Sequence, residues 1–130
     1  MNKQKVAIVC VDDDPVILKV LEYQLREIYN SQNILIETFI SPKDFIDSIE
    51  FFVQSEISVI YLIVDFKMPE MNGAELIRHV KPILPKTEFI MISGQANENV
   101  VEDLKQEGLL RKFISKPWEI DDLRLKLDGE

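Results

Sequence analysis

The hydrophobic residues of this chain fall into short runs rich in β-branched side chains, and segments with helical spacing separate these runs. Strands are predicted at residues 5–11, 34–40, 58–64, 87–92 and 111–115. Helices are predicted at residues 15–29, 42–53, 73–84, 97–107 and 119–127. Short apolar strands that alternate with helices are typical of parallel α/β sheets. The pattern therefore predicts an α/β fold of the (βα)5 type, doubly wound around a five-stranded parallel sheet.

Prolines mark the ends of two predicted helices. Asp14 precedes Pro15, which combines an N-capping side chain with a proline at the first helical position. We therefore interpret Asp14 as a helix cap rather than as a ligand. Pro82 and Pro85 are expected to end the third helix, because a proline has no backbone N–H to donate.

Polar side chains follow four of the predicted strands, at the point where each strand ends. Asp12 and Asp13 follow the first strand, and Asp65 follows the third. Ser93 follows the fourth strand and Lys116 the fifth. In parallel α/β sheets the functional groups gather at the carboxyl ends of the strands, so these side chains are expected to converge. Three carboxylates, a hydroxyl and a lysine in one crevice predict a site for a divalent metal and a phosphoryl group.

Charge repulsion limits what such a cluster can do. Two carboxylates about 4 Å apart repel each other by roughly 4 kcal/mol at an effective dielectric constant near 20. The cluster is therefore expected to take up protons or to bind a cation. A hard cation such as Mg²⁺ suits carboxylate ligands without histidine or cysteine, and it also accepts phosphate oxygens. An aspartate can then attack phosphorus, while Lys116 and Ser93 steady the transferred group.

Composition sets further limits on the class of protein. With 130 residues and 46% hydrophobic content, the chain is expected to form a single domain over residues 1–130. The net charge of −8 argues against nucleic acid or an anionic membrane as a partner. No apolar run approaches the roughly 18 residues of a membrane span. Cys10 is the only cysteine, so no internal disulfide forms and the cytoplasm is the expected compartment.

Taken together, these motifs resemble the receiver domain of two-component response regulators, the CheY-like family, over nearly the whole chain. The matching motifs are the acidic pair Asp12-Asp13, the acceptor Asp65 with Met68-Pro69 and Gly73, the hydroxyl residue Ser93, the aromatic Phe113 and the pair Lys116-Pro117. Each motif alone is weak, but all of them in order at strand ends form a specific pattern. The resemblance implies a flavodoxin-like sheet with strand order 2-1-3-4-5.

The resemblance implies a phosphoacceptor and a metal site. Asp65 would accept the phosphoryl group, and Asp13 and Asp65 would bind Mg²⁺ directly together with the backbone carbonyl of Lys67. Asp12 would act mainly through water. The domain is therefore expected to catalyse only its own aspartyl phosphorylation and dephosphorylation, and not to act as an enzyme on other substrates.

The resemblance also implies a conformational switch. Ser93 would move toward the phosphoryl group, Lys116 would steady its charge, and Phe113 would rotate inward. These movements would alter the surface formed by the fourth helix, fifth strand and fifth helix. In such domains the Lys-Pro bond is commonly cis, which makes Pro117 a cis-proline candidate.

Two long polar side chains are expected to tune the kinetics. Lys67 lies two residues beyond the acceptor Asp65, and Gln95 lies two residues beyond the hydroxyl residue Ser93. Side chains at these two positions can obstruct attacking water. Our hypothesis is that both lengthen the life of the phosphoryl group. Gly94 stands where alanine is commoner in the family, and a small residue there leaves the access of phosphate open.

The expected partners follow from the same resemblance. A histidine kinase or a phosphotransfer protein would supply the phosphoryl group, and a downstream protein or an output domain outside this chain would respond to it. A monomer or a phosphorylation-dependent dimer is expected. Both a stand-alone protein and the leading domain of a longer one stay open, and the short last helix before Glu130 favours the second.

Two other classes of function compete with this interpretation. The sequence from Asp12 to Val16 contains an Asp-x-Asp-x-Val pattern, as in haloacid-dehalogenase-like phosphatases, in which Asp12 would be the nucleophile. That class leaves the motif around Asp65 unexplained, and the chain is short for its fold. The other alternative is a receiver-like interaction module that is not phosphorylated.

Overall fold

A five-stranded parallel sheet forms the centre of the computed structural model, which describes residues 5–30, 32–94 and 98–127. The strands are β1 (Lys5–Val11), β2 (Ile34–Phe39), β3 (Ile57–Val64), β4 (Glu88–Ser93) and β5 (Leu110–Ser115). The helices are α1 (Pro15–Ile28), α2 (Pro42–Gln54), α3 (Gly73–Val80), α4 (Glu98–Gln106) and α5 (Ile120–Leu127). None of these described helices has the length and apolar character that crossing a membrane requires.

The order of the strands is β2-β1-β3-β4-β5, which confirms the predicted topology. Val11 at the end of β1 pairs with Phe39 of β2 and with Val64 of β3. The carboxyl ends of these three strands are therefore level. Ser93 at the end of β4 pairs with Ser115 of β5. Residues that follow β1 and β3 emerge side by side. The order in which the strands are added to the sheet reverses between these two strands, and ligands of such sheets bind at this point.

Alternating side chains of each strand bury against helices on opposite faces of the sheet. In β1, Ala7, Val9 and Val11 pack on one face, whereas Ile8 and Cys10 pack on the other. The first face is covered by α2, α3 and α4, and the second by α1 and α5. Burial raises the pKa of the Cys10 thiol, so this side chain stays neutral and packs as a small apolar group.

Side-chain caps fix where the helices begin. Asp14 caps α1, and one of its carboxylate oxygens accepts a hydrogen bond of 2.9 Å from the backbone N–H of Val16. Ser41 caps α2 in the same way by accepting from the N–H of Asp44. These caps satisfy backbone N–H groups that have no partner inside the helix. Asp14 is therefore engaged at the start of α1, as its sequence context predicted.

The ends of the elements agree with the sequence prediction to within one residue, except for the end of the third helix. The third helix ends at Val80 rather than at residue 84, because Pro82 has no N–H with which to continue the helical hydrogen bonding. The chain continues instead through turns, in which the N–H of Leu84 donates to the carbonyl of Val80. The fourth strand extends through Ser93, so this residue is the last of β4 and not the first beyond it.

Candidate functional site

The carboxyl ends of β1 and β3 bring three carboxylates together. Asp12, Asp13 and Asp65 each offer an oxygen, and these oxygens all lie within 4.8 Å of one another. Asp12 and Asp65 are only 2% and 8% exposed, whereas Asp13 is exposed to solvent. The backbone N–H of Asp65 donates to the carbonyl of Val11, which ties the two strand ends together. The predicted convergence of these carboxylates is therefore present in the structure.

Lys116 reaches the same place from the end of β5. Its Nζ lies 3.0 Å from Oδ2 of Asp12 and 3.3 Å from Oδ2 of Asp65. Its backbone N–H donates to the carbonyl of Ser93 at 3.1 Å, which places the loop after β5 against the end of β4. The peptide bond between Lys116 and Pro117 is cis.

The charges of these groups shift their proton affinities. Burial raises the pKa of Asp12, and the negative charge of Asp65 adds to this effect, although hydrogen bonds from Asp14 and Lys116 oppose it. Burial alone would lower the pKa of Lys116, but its hydrogen bonds and ion pairs with Asp12 and Asp65 outweigh burial and raise it. Lys116 thus stays protonated. One ammonium group faces three carboxylates, so the cluster keeps an excess of negative charge.

Asp12 and Asp65 differ in how their oxygens are engaged. Oδ1 of Asp12 accepts from the backbone N–H of Asp14 at 2.9 Å, and Oδ2 accepts from Lys116. Both oxygens of Asp12 are therefore held by donors of the protein. Asp65 is in contact with Lys116 through Oδ2 and also borders an open cavity. Asp65 thus faces space for a reactant, whereas the two oxygens of Asp12 are engaged by donors of the protein.

That cavity has a volume of about 250 Å³. It is lined by Asp65, Lys67, Ser93, Gly94 and Lys116. The hydroxyl residue Ser93 is buried, while Lys67 is exposed at the rim. A carboxylate, a hydroxyl residue and two lysines around one small cavity suit a bound anion that carries several oxygen atoms.

One residue singled out by the sequence lies away from this cavity, and another falls outside the described residues. Phe113 is outside the lining of this cavity, and its half-buried ring packs against the core on the face of α2, α3 and α4. It pairs with Met91 of β4, which in turn pairs with Val64 of β3, the residue that precedes Asp65. Gln95 lies outside the described residues.

The loop between β3 and α3 holds the backbone of Asp65 in place. A Cβ added to Gly73 would lie 2.4 Å from the carbonyl oxygen of Asp65, so only a glycine fits against this backbone. The next turn is fixed by a capping box, in which Asn72 and Glu75 each accept a hydrogen bond from the other's backbone N–H. The Asn-x-x-Glu spacing is visible in the sequence, but its importance for the site was not recognised there.

One further contact of the site region was missed by the sequence analysis. The indole Nε1 of Trp118 donates a hydrogen bond of 2.7 Å to Oε1 of Gln24, which joins the loop after β5 to α1. The two residues are 94 positions apart, and neither belongs to a recognisable motif. No local pattern in the sequence could have indicated this pairing.

Comparison with known proteins identifies relatives over nearly the whole chain. A family model described as the response regulator receiver domain matches residues 8–128. Response regulator protein TmoT of Ectopseudomonas mendocina is 28% identical over 123 residues, which cover 95% of this chain and 51% of TmoT. Chemotaxis protein CheY of Bacillus subtilis (strain 168) is 34% identical over 58 residues, which cover 45% of this chain and 48% of that protein. The chain thus spans about half the length of TmoT.

A solved structure supports the same fold. The response regulator receiver domain protein of Clostridium thermocellum superimposes with a TM-score of 0.77 and 22% sequence identity. The alignment covers 95% of this chain and 92% of that one. At this level of identity the likeness establishes the fold, and the chemistry of the site depends on the residues described above.

We predict that Gly73→Ala lowers the free energy of unfolding by about 1–3 kcal/mol, because the added methyl group collides with the backbone of Asp65 and forces it to shift. Urea unfolding measures the effect. Gly94→Ala is the matched control, since its Cβ would meet Lys116 Cβ at an ordinary 3.6 Å. The control should change stability by less than about 0.5 kcal/mol. Equal effects of the two substitutions would contradict the close-approach role of Gly73.

Proposed function

The chain belongs to the response regulator receiver domain family, and from this premise we propose that it is a phosphorylation-controlled switch with Asp65 as the phosphoacceptor. Members of this family are signalling switches rather than enzymes that turn over an external substrate. The observation that carries the proposal is the position of Asp65. It is buried at the end of the central strand β3, contacts Lys116 and borders the cavity where a phosphoryl group fits.

The proposed donor is a phosphohistidine of a histidine kinase or of a phosphotransfer protein, and a small phosphodonor can replace it. One carboxylate oxygen of Asp65 forms the new bond to phosphorus. The bond from phosphorus to the imidazole nitrogen of the donor breaks, and its electron pair stays on that nitrogen, which regains a neutral imidazole. Water later cleaves the aspartyl phosphate, releasing phosphate and restoring the carboxylate. In this scheme the domain catalyses only its own phosphorylation and dephosphorylation.

The carboxylate cluster fits Mg²⁺, because it offers oxygen ligands and carries excess negative charge. We propose that Asp13 and Asp65 bind the ion directly, together with the backbone carbonyl of Lys67. Asp12 would act through water, since both of its oxygens already accept hydrogen bonds from the protein. When bound, the ion cancels the repulsion between the carboxylates and the incoming phosphate.

Two residues are proposed to bind the transferred group. Lys116 already lies 3.3 Å from Oδ2 of Asp65, so its ammonium group can stabilise charge that develops on the phosphoryl oxygens. Ser93 lines the same cavity and would donate its hydroxyl hydrogen to one of those oxygens. Phe113 lies on β5, next to the strand that ends at Ser93, and would rotate when Ser93 moves. The surface of α4, β5 and α5 would then change.

That surface is where we propose that the signal leaves the domain. It would contact a downstream protein or an output domain that is not in this chain. Monomeric and phosphorylation-dependent dimeric forms are both compatible with this mode of output. We propose neither direct binding of nucleic acid nor contact with a membrane for this domain, because its net charge is −8. We propose the cytoplasm as the compartment of this domain.

The phosphatase alternative is disfavoured by the geometry of Asp12. As the nucleophile of a haloacid-dehalogenase-like enzyme, Asp12 would need a free carboxylate oxygen directed at the substrate. Its two oxygens instead accept hydrogen bonds from Asp14 and Lys116, whereas Asp65 faces the cavity. The alternative of a receiver-like module that is not phosphorylated makes a different prediction, which the following experiment tests.

We predict that incubation with acetyl phosphate and Mg²⁺ adds one phosphoryl group to the wild-type chain, as measured by its intact mass. Asp65→Asn should abolish the adduct, because the amide cannot form the acyl phosphate. Asp12→Asn should reduce the rate and leave an adduct detectable, since Asp12 is not the nucleophile. Removal of Mg²⁺ with a chelator should also prevent incorporation.

The outcomes separate the three classes of function. An adduct that survives Asp65→Asn but is lost in Asp12→Asn would identify the phosphatase-like nucleophile and contradict the proposal. If the wild type gains no mass and also forms no complex with beryllofluoride and Mg²⁺, the chain is an interaction module rather than a phosphorylated switch.

We predict that Lys67→Ala shortens the life of the phosphoryl group by about 2- to 5-fold, which corresponds to a loss of roughly 0.5–1 kcal/mol of barrier. The reason is that the Lys67 side chain lies at the rim of the cavity and obstructs attacking water. Decay of the adduct mass after removal of the donor gives the rate. Lys67→Met is the control, because it keeps the length of the side chain without its charge. Unchanged decay in Lys67→Ala would refute the obstruction.

A further inference from the structure

Residues 116–119, here called the β5–α5 loop, carry Lys116 to the acidic site. Lysine has a flexible four-carbon stem, so the position of its charge depends on how firmly the backbone is held. The loop is fixed at its start by the hydrogen bond from the Lys116 N–H to the carbonyl of Ser93. At its other end, the N–H of Glu119 donates to Asp122, inside the first turn of α5. The middle of the loop, Pro117 and Trp118, needs a separate anchor.

Trp118 packs only partly against the apolar core beside α1 and α5, because two open grooves border its side chain. One groove has a volume of about 460 Å³ and includes Ile17, Val20 and Pro117 in its lining. The other has a volume of about 560 Å³ and includes Val20 and Lys19. A side chain beside such empty space loses part of the close contacts that fix residues of a packed core. A polar contact therefore contributes a larger share of the restraint on this loop.

The hydrogen bond from Trp118 Nε1 to Gln24 Oε1 supplies that contact at 2.7 Å. Gln24 is well placed to act as an anchor, because its neighbours Leu21 and Leu25 are 2% and 0% exposed and fix α1 against the sheet. The hydrogen bond thus joins the loop to a rigid helix rather than to another loop.

We propose that Gln24 and Trp118 form a latch that positions Lys116 over Asp12 and Asp65. Neither latch residue is placed to touch the reacting atoms, so both are positioning residues that act through Lys116. The inference rests on the proposed function in one respect, namely that Lys116 stabilises the phosphoryl group during transfer. Opening the latch lets the ammonium group occupy more positions, which weakens this stabilisation. The three carboxylates stay in place, because their own strands hold them.

The test combines three measurements on Gln24→Leu, Trp118→Phe and the double variant. The first is hydrogen–deuterium exchange of the Lys116 backbone amide, which needs neither metal nor phosphodonor. The second is the phosphorylation rate at saturating acetyl phosphate, and the third is the dissociation constant of Mg²⁺. Lys19→Leu is the control, since Lys19 lines the same groove and its substitution leaves the latch intact.

The latch predicts that each single variant speeds Lys116 amide exchange by about 3- to 10-fold and slows phosphorylation by a similar factor. The double variant should show no further change, because both substitutions break the same hydrogen bond. The dissociation constant of Mg²⁺ should not increase. Lys19→Leu should match the wild type in all three measurements.

Two results would overturn the latch. Unchanged exchange of the Lys116 amide would show that the hydrogen bond does not hold the loop, whatever the phosphorylation assay gives. A joint loss of Mg²⁺ affinity, phosphorylation rate and thermal stability would show a general packing role instead. A wild-type chain that takes up no phosphoryl group would contradict the proposed function, and the exchange measurement would still decide whether the latch exists.

Discussion

The rest of this structure depends on the repulsion among three carboxylates held at the end of two neighbouring strands. Asp12, Asp13 and Asp65 present oxygens within 4.8 Å of one another, and two of these residues are buried. Lys116 offsets part of that charge through its contacts with Asp12 and Asp65. The negative charge that Lys116 does not offset opposes folding and favours the binding of a cation. An apolar core on both faces of the sheet offsets this cost.

Backbone contacts between the ends of β1 and β3 keep Asp12 and Asp65 close together, and a change of side-chain rotamer does not break these contacts. Val11 and Val64 are in register, and the N–H of Asp65 donates to the carbonyl of Val11. Gly73 packs against the carbonyl of Asp65 from the other side. The backbones of Asp12 and Asp65 are therefore unable to move apart without disrupting the sheet. A change in their charge, whether by a bound ion or by a phosphoryl group, must therefore be accommodated by the side chains that contact them, among them Lys116.

The strands, the helices and the convergence of polar residues at the strand ends could be predicted from the sequence, because local patterns of residues indicate each of them. Hydrophobic periodicity indicated the parallel sheet, and the polar residues at its strand ends indicated the site. The strand order came from the family resemblance instead. Two features were not predictable in the same way. The close approach of Gly73 to Asp65 depends on tertiary packing, and the hydrogen bond between Gln24 and Trp118 joins distant parts of the chain.

The central claim, that excess carboxylate charge is held in place for a cation, is tested most directly by thermal unfolding of the wild type and Asp13→Asn with and without Mg²⁺. Asp13 is exposed, so the substitution removes charge without opening the core. At matched ionic strength, Asp13→Asn should be the more stable protein without Mg²⁺, and the wild type should gain more stability from the ion. A less stable Asp13→Asn in the absence of Mg²⁺, or an equal gain for both proteins, would contradict this account.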